Sequence, residues 1–335
     1  MRIGLSFDLK ETVPLGQSHP EDALEEYDSS ETVEVIAAAI ETEGHTTVKL
    51  GGGRNFIAGI LHERVDLVFN IAEGLGNYRS REAQVPSVLE LLNIPYSGSD
   101  PQTLAICLDK PLTKQLVAAA GITTPKWLVL NNSRELAEVS WEGFPFPAFV
   151  KPAWEGSSKG IRRNSLAETP QKASELVKTL LDTYCQPVMV EQFITGDEVT
   201  VGIAGNTPAA IVGIMRILPR KREKYFIYSL EVKRDWEALV EYECPARLAP
   251  ATLQEIQNAG LKAFKVLGCR DLSRMDFRID RTGKPYFLEI NPLPGLNSKS
   301  GDIVIMAKKM GWTYQALIGR ILNAALERYP QCVRR

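Results

Sequence analysis

Apolar and polar positions along the first hundred residues alternate between short strand-like runs and helical stretches. Residues 2–7, 46–50 and 65–70 are continuous apolar or alternating runs that read as strands. Residues 29–42 carry a helical period, with Ser29 or Ser30 as N-cap and Gly44 just beyond the end. A short helical segment starts at Asn55, and another helix spans 83–92 before the turn NIPYSGSD. Strands and helices alternating in this way predict a parallel sheet with crossover helices. The triple glycine at 51–53 does not match GxGxxG and reads as a flexible turn.

The pattern changes after residue 100. Residues 104–120 read as one helix that carries Asp109 and Lys110 and ends at Gly121, a good C-terminal cap. ITTPKWLVL resumes as strand, and the alternating prolines of FPFPAFVKP suit an edge or the approach to a strand. Strands at 148–151 and 188–193 flank a helix at 170–184. VTVGIAG and AAIVGIMRIL predict an antiparallel sheet, interrupted by a basic stretch at 216–233. Helices follow at 250–268 and 314–329. The division this implies is 1–100, 101–187 and 188–335.

SRMDFRID and the run that ends in FLEINPLPG form two further strands, joined by a turn at Gly283-Lys284. Residues two apart on a strand point the same way. One face of the resulting hairpin therefore carries Arg274, Asp276, Glu289 and Asn291. Two carboxylates and an amide oxygen suit Mg²⁺, which takes one or two carboxylates plus substrate phosphates in preference to an all-protein cage. The alternative is a half-exposed hairpin whose polar residues face water.

Composition removes several function classes. The 335 residues predict two or three folding units, and 44% hydrophobic with 24% charged residues fits a globular protein. A net charge of -2 gives no reason to expect nucleic acid or an anionic membrane as partner. The five cysteines are scattered without a CxxC pair, and three histidines are too few to favour a His-based centre. The opening MRIGLSFDL does not resemble a signal peptide, and no apolar run approaches a membrane span, so a soluble cytoplasmic protein is expected.

Three more segments could carry chemistry. KPAWEGSSKG places Lys151 at a strand end before a small-residue loop, where backbone N–H groups can converge on an anion. It is not the GxxxxGK[ST] loop, and a flexible surface loop is the competing reading. In VMVEQFITGDE, a connection between two lobes could present its backbone to a purine, and Glu198 could accept from ribose hydroxyls. In YSLEVKRDW, Lys233 could reach a transferring phosphate. The bland alternative there is a solvated loop.

The order of these segments resembles the ATP-grasp superfamily and, within it, the D-alanine–D-alanine ligases. The resemblance runs from the first strand to the last helix and rests on LDKPLTK, KPAWEGSSKG, VEQFITGDE, EVK, RMDF and LEINPLPG in that order. It implies an α/β protein of three parts, with an N-terminal parallel α/β domain and two lobes clasping ATP. It further implies that Lys110 and Lys151 contact ATP phosphates and that Gly156, Ser157 and Ser158 fold over them, Ser157 beside the reacting groups. Glu191, Gln192 and Phe193 would line the adenine hinge, with Glu198 on the ribose. Lys233 would bind the γ-phosphate. Asp276, Glu289 and Asn291 would hold two Mg²⁺ ions, with Mn²⁺ as a substitute. Arg274 and the Gly295 N–H would stabilise the oxyanion, while Ser298 and Ser300 would hold the second amino acid's carboxylate.

The chemistry explains these residue types. A carboxylate and an amine do not condense in water, so ATP first makes an acyl phosphate, which the amine then attacks. No covalent intermediate on a side chain is needed. Three departures concern the substrate end. The family's early loop glutamate, which fixes the first substrate's ammonium, has only Glu25 and Glu26 as approximate counterparts. Arg234 stands where a tyrosine is expected, either to anchor a substrate carboxylate, to pair with Glu25 or Glu26, or to point into solvent. Trp154 precedes Glu155 in the loop. The expected activity is ATP-dependent ligation of small amino-acid substrates, foremost D-alanine to D-alanine for cell-wall precursors. Ligation of other amino acids, or nucleotide binding without turnover, are the alternatives. A homodimer is compatible with all three.

Overall fold

The computed structural model describes residues 1–333 except Leu15, Gln17 and Ser18. Among the described residues the strands gather into three sheets. The strands β1 (Arg2–Ser6), β2 (Thr46–Gly51) and β3 (Leu67–Asn70) make a parallel sheet ordered β2-β1-β3. The helix Ser30–Thr42 crosses between β1 and β2, and Ser29 is its cap: the side chain accepts from the Thr32 N–H at 3.3 Å. The triple glycine is a turn that opens the helix Gly53–His62, with left-handed Gly51 and Gly53. Between them, a Cβ on Gly52 would lie 1.8 Å from Asp8 Oδ1.

The strands β4 (Trp127–Leu130), β5 (Ala148–Pro152), β6 (Leu166–Ala167) and β7 (Val188–Gln192) form an antiparallel sheet ordered β4-β7-β5-β6. Pro145 and Pro147 precede β5, where no ladder hydrogen bond is lost. The third sheet is antiparallel in the order β10-β9-β8-β11-β12. Its members are β8 (Gly196–Ala204), β9 (Ala210–Pro219), β10 (Val240–Glu243), β11 (Leu272–Asp280) and β12 (Pro285–Asn291). The two antiparallel sheets leave a cleft between them, and Phe149 and Lys151 of one and Glu198, Asp276 and Glu289 of the other line it.

Two expectations are corrected. The helix read over 104–120 is two helices, Pro101–Leu108 and Lys110–Ala119. Asp109 leaves helical geometry and caps the second by accepting from the Leu112 N–H at 3.1 Å. Pro111 sits in that first turn, where its missing N–H costs nothing, whereas in a continuous helix it would clash with the preceding turn. The break sets Lys110 at a helix start, facing the cleft. The basic stretch at 216–233 is likewise not a single interruption. Arg216 belongs to β9 and pairs with Asp197 and Glu243, each at 3.0 Å, while Lys233 and Arg234 end a short helix, Leu230–Arg234.

The core also joins segments far apart in the chain. Val33, Ile36 and Ile40 of the helix Ser30–Thr42 share one apolar cluster with Leu317, Ile318 and Ile321 of the helix Tyr314–Arg328. Each such side chain, removed from water, contributes about 2 kcal/mol, so the last helix is a structural part of the N-terminal sheet's packing. A second cluster sets Ile256, Ala263 and Phe264 of the helix Pro250–Val266 under β8, β11 and β12. A third sets Ala173 and Val177 against β5 and β7. Among the described residues, no helix is long and apolar enough to cross a membrane.

Candidate active site

The hairpin of β11 and β12 brings its four polar residues together. Asp276 lies directly opposite Glu289 in the ladder, and Arg274 opposite Asn291. Glu289 has Lys110 Nζ at 3.7 Å and Lys151 Nζ at 3.8 Å. Burial alone would raise its pKa, but Lys110, Lys151, Arg274 and Lys233 outweigh that and hold it at about 2. Asp276 accepts from Thr200 Oγ1 at 2.6 Å and from Arg274 Nη2 at 2.9 Å. The Asn291 amide oxygen accepts from the Leu293 N–H at 2.7 Å, which fixes its orientation. Among the described residues no cluster of three or more His, Cys, Asp or Glu assembles into a metal cage. Two carboxylates and an amide are a partial set, and they fit Mg²⁺ carried in on phosphate, with coordination positions left for phosphate and water.

Two cavities meet at this hairpin. The first lies between the lobes, with Phe149, Phe193, Ile194, Ile227 and Leu288 as apolar walls and Lys151, Asp276 and Glu289 at its polar end. That combination suits a flat heterocycle with a charged tail. Glu191 is buried in its wall, where its carboxylate pairs with Lys114 and, at 3.2 Å, with Lys151. The N–H groups of Gln192 and Phe193 already bond the carbonyls of Lys126 and Pro147, at 2.8 and 3.0 Å. Glu198 accepts from Arg278 Nη1 at 3.0 Å. Lys114 and Arg278 were not singled out from the sequence. Lys114 stands one turn after Lys110 on the same helix face, and burial lowers its pKa to about 8. Arg278 fastens the interlobe connection by donating to the carbonyls of Ile194 and Gly196, at 2.6 and 2.9 Å.

The second cavity, about 370 Å³, is lined by Arg274, Asn291, Gly295 and Ser300 on one side and Glu25, Glu26, Asp28 and Glu73 on the other. Lys233 lines both cavities, its ammonium 5.0 Å from the centre of the Tyr228 ring. Arg274 also reaches Asp302 at 3.3 Å, and its Nε is buried without a hydrogen-bond partner. A Cβ on Gly295 would meet nothing within 4 Å, so the space beside its backbone is free for a substrate. Ser300 Oγ bonds Asn297 Oδ1 at 3.1 Å. Ser298 is not among the residues lining this cavity, and its carbonyl accepts from Lys308 Nζ at 2.5 Å.

The loop Gly156-Ser157-Ser158 sits where the two cavities join, with Ser157 lining one and Ser158 the other. Both serines have left-handed backbone angles, φ 49° and 60°, an uncommon state for a residue with a side chain. Successive residues in such turns direct their N–H groups into a concavity that accepts anions. The loop touches the Lys233 segment: Ser158 Oγ reaches the Tyr228 carbonyl at 3.4 Å, and the Leu230 N–H bonds the Ile161 carbonyl at 3.0 Å.

The three possibilities for Arg234 are separated by its contacts. Its Nη2 and Nε both bond Glu25 Oε1, at 2.5 and 3.1 Å, and Nη1 lies 3.6 Å from Glu21. Glu26 is engaged elsewhere, accepting from Arg81 at 2.7 and 3.2 Å and pairing with Lys159 at 2.8 Å. Of the two glutamates, Glu25 is therefore the more exposed and the less fully engaged. Arg234→Tyr is expected to raise the Michaelis constant for one amino acid several-fold, or to reorder preference among D-amino acids. Unchanged kinetics for both substrates would reduce the pair to a surface contact, worth well under about 1 kcal/mol.

Buried carboxyls, some of them in the cavity walls, also set a pH dependence of stability. Burial, with Asp8 adding to it and Lys10 opposing, raises Asp28 to about 7. Burial, with Glu26 adding and Arg81 opposing, raises Glu82 to about 7. Asp8, Glu73 and Glu198 are shifted in the same direction. A carboxyl whose folded pKa is raised holds its proton better when folded, so its cost to stability is absent below the unfolded pKa and grows until the folded one is passed. The ligand-free protein should therefore melt higher near pH 5.5 than near pH 8, and Asp28→Asn should flatten that difference in thermal melts. Glu289 acts oppositely, but only below about pH 4.5.

Residues 116–323 match the family model described as D-ala D-ala ligase C-terminus. An uncharacterized protein of Sinorhizobium fredii is 29% identical over 94% of this chain and 93% of its own length. The D-alanine–D-alanine ligase of Aquifex aeolicus is 33% identical over 88% of this chain and 94% of its own. The crystal structure of the Bacillus anthracis D-alanine–D-alanine ligase complexed with ATP superposes with a TM-score of 0.75 at 21% identity, covering 99% of both chains, and establishes the ATP-grasp fold. The family match spans more than half the chain and includes the loop, the interlobe connection and the hairpin of β11 and β12, and the chain therefore belongs to the D-alanine–D-alanine ligase family.

Proposed function

We propose that the protein is an ATP-dependent, ADP-forming ligase that joins two amino acids through an acyl phosphate, with D-alanyl-D-alanine for peptidoglycan as the parent product. The observation that carries this reading is the junction of the two cavities at Lys233 and Ser157-Ser158: one cavity suits a nucleotide, the other a polar pair of substrates. Lys110 and Lys151 lie where they would neutralise the triphosphate, and Glu289 and Asp276, with Asn291, would hold two Mg²⁺ ions or, in substitution, Mn²⁺. The bound metal would screen phosphate charge during transfer. The substrate carboxylate takes the γ-phosphoryl group beside Lys233. The incoming amine then attacks the acyl carbon, negative charge builds on the former carbonyl oxygen next to Arg274 and the Gly295 N–H, and phosphate departs. Glu25 would bind the first ammonium and Ser300 the second carboxylate.

A second substrate reading is favoured by the wall of the amino-acid cavity, where Asp28 and Glu73 add further carboxyl groups beside Glu25 that can hydrogen-bond a substrate. An amino acid other than D-alanine at the first position fits that wall. The deciding experiment is phosphate release with ATP, Mg²⁺ and paired D- and L-amino acids, with the products identified by mass. Absence of phosphate release with every pair tested would overturn ligation. We further propose units bounded near residues 100 and 187, a cytoplasmic setting and a homodimer, without nucleic acid or membrane as partner.

A further inference from the structure

The segment before Glu25 and Glu26 contributes another buried carboxylate, and it reaches across to the central lobe. Asp22 is fully buried. Its Oδ2 accepts from the Gly160 N–H at 2.9 Å and from Arg162 Nη2 at 3.2 Å. The Tyr184 hydroxyl lies 2.8 Å from both carboxylate oxygens. All these partners lie more than 130 residues along the chain, in the loop after β5 and at the end of the helix Pro170–Tyr184. We infer that Asp22 is a positioning residue for ATP: it fixes the end of the serine loop and so keeps the anion-binding N–H groups formed before the nucleotide arrives.

The loop needs such a bracket. Ser157 and Ser158 both hold left-handed angles, which persist only where the surroundings determine them. Their internal support is slight: the Lys159 N–H bonds the Gly156 carbonyl at 2.9 Å and the Ile161 N–H bonds the Ser158 carbonyl at 3.0 Å. Gly160 closes the loop at φ +74°, packed so tightly that a Cβ would lie 2.4 Å from Pro152 and 3.2 Å from the Tyr184 ring. Its N–H is thus aimed at Asp22 with little freedom. The carrying segment is a run of turns in which the Ala23, Glu25 and Tyr27 N–H groups bond the Pro20, Asp22 and Leu24 carbonyls. From that segment Glu26 takes Lys159 and Glu25 takes Arg234, so one short stretch braces both sides of the phosphate site.

This rests on the reading of the serine loop as a phosphate cover, and the test separates the two. Asp22→Asn preserves size but removes the charge and one acceptor. Binding of a non-hydrolysable ATP analogue with Mg²⁺ should weaken on the order of tenfold, the scale of a lost charge-assisted hydrogen bond. Amide exchange of residues 157–160 should quicken. In turnover, the Michaelis constant for ATP should rise while kcat changes much less. Tyr184→Phe, which keeps the charge and removes one donor, should shift the same constants by a smaller factor, and it serves alone if Asp22→Asn does not fold. Unchanged analogue binding and loop exchange overturn the inference, as does a lowered melting temperature with intact binding, the mark of a merely structural contact. Analogue binding requires no ligation, so failure to find a substrate pair would leave this outcome readable. A wild-type protein that binds no analogue would instead defeat the phosphate-cover reading itself.

Discussion

Glu289→Gln is expected to lower ATP-driven turnover on the order of a hundredfold or more while leaving the protein folded. Glutamine keeps the shape of the side chain and discards its charge. Lys110 and Lys151 approach that charge at 3.7 and 3.8 Å and, with Arg274 and Lys233, hold the pKa at about 2 against the effect of burial. The fold should survive because the lysines keep other partners, Glu191 for Lys151 and the Glu155 carbonyl for Lys110. Phosphate release at ordinary Mg²⁺ concentration measures the effect. If raising Mg²⁺ restores part of the rate, the carboxylate acts through the metal. Turnover like the wild type's at ordinary Mg²⁺ would remove Glu289 from the metal site.

What the chain disclosed in advance follows from the range of the interactions involved. On the hairpin, a period of two puts Arg274 with Asp276, and Glu289 with Asn291, on one side of each strand, but the register shift between Asp276 and Phe277 is what sets the two pairs opposite one another, and no local pattern announced it. The helix Pro170–Tyr184 was legible from its proline start and amphipathic face. The break at Asp109 was missed although its signal was present: an Asp cap followed within two residues by proline is a helix start. The short helix around Lys233 has no side-chain cap at Ser229 and only five residues, so neither period nor capping could reveal it.

The amino-acid end was the least legible, for a different reason. Arg234 and Glu25 are 209 residues apart, and Arg81 and Glu26 are 55 apart. Nothing local distinguishes a glutamate that will be buried between Arg81 and Lys159 from its neighbour on the cavity wall. The same holds for the last helix, whose apolar stripe announced burial but not that its partner would be the helix Ser30–Thr42. Periodicity identifies a face to be covered, whereas the covering element is chosen by topology.

Arg274→Lys should show how much of the reaction depends on geometry beyond charge. The guanidinium spans two carboxylates, Asp276 at 2.9 Å and Asp302 at 3.3 Å, and keeps a buried Nε–H without a protein partner. Those anions hold it protonated well above the ordinary range, despite the opposing effect of burial. Lysine retains the positive charge but is a compact point charge on a flexible stem, and cannot bridge both carboxylates while presenting a third fixed donor. A donor aimed at a developing oxyanion is worth on the order of 10²–10³ in rate. The expected result is therefore a fall in kcat of that order, with analogue binding changed by no more than about twofold, because stabilisation given only in the transition state leaves ground-state affinity alone. A variant with intact kcat and weakened analogue binding would place Arg274 among the nucleotide contacts, and the oxyanion would then need its donors from Gly295 and Lys233.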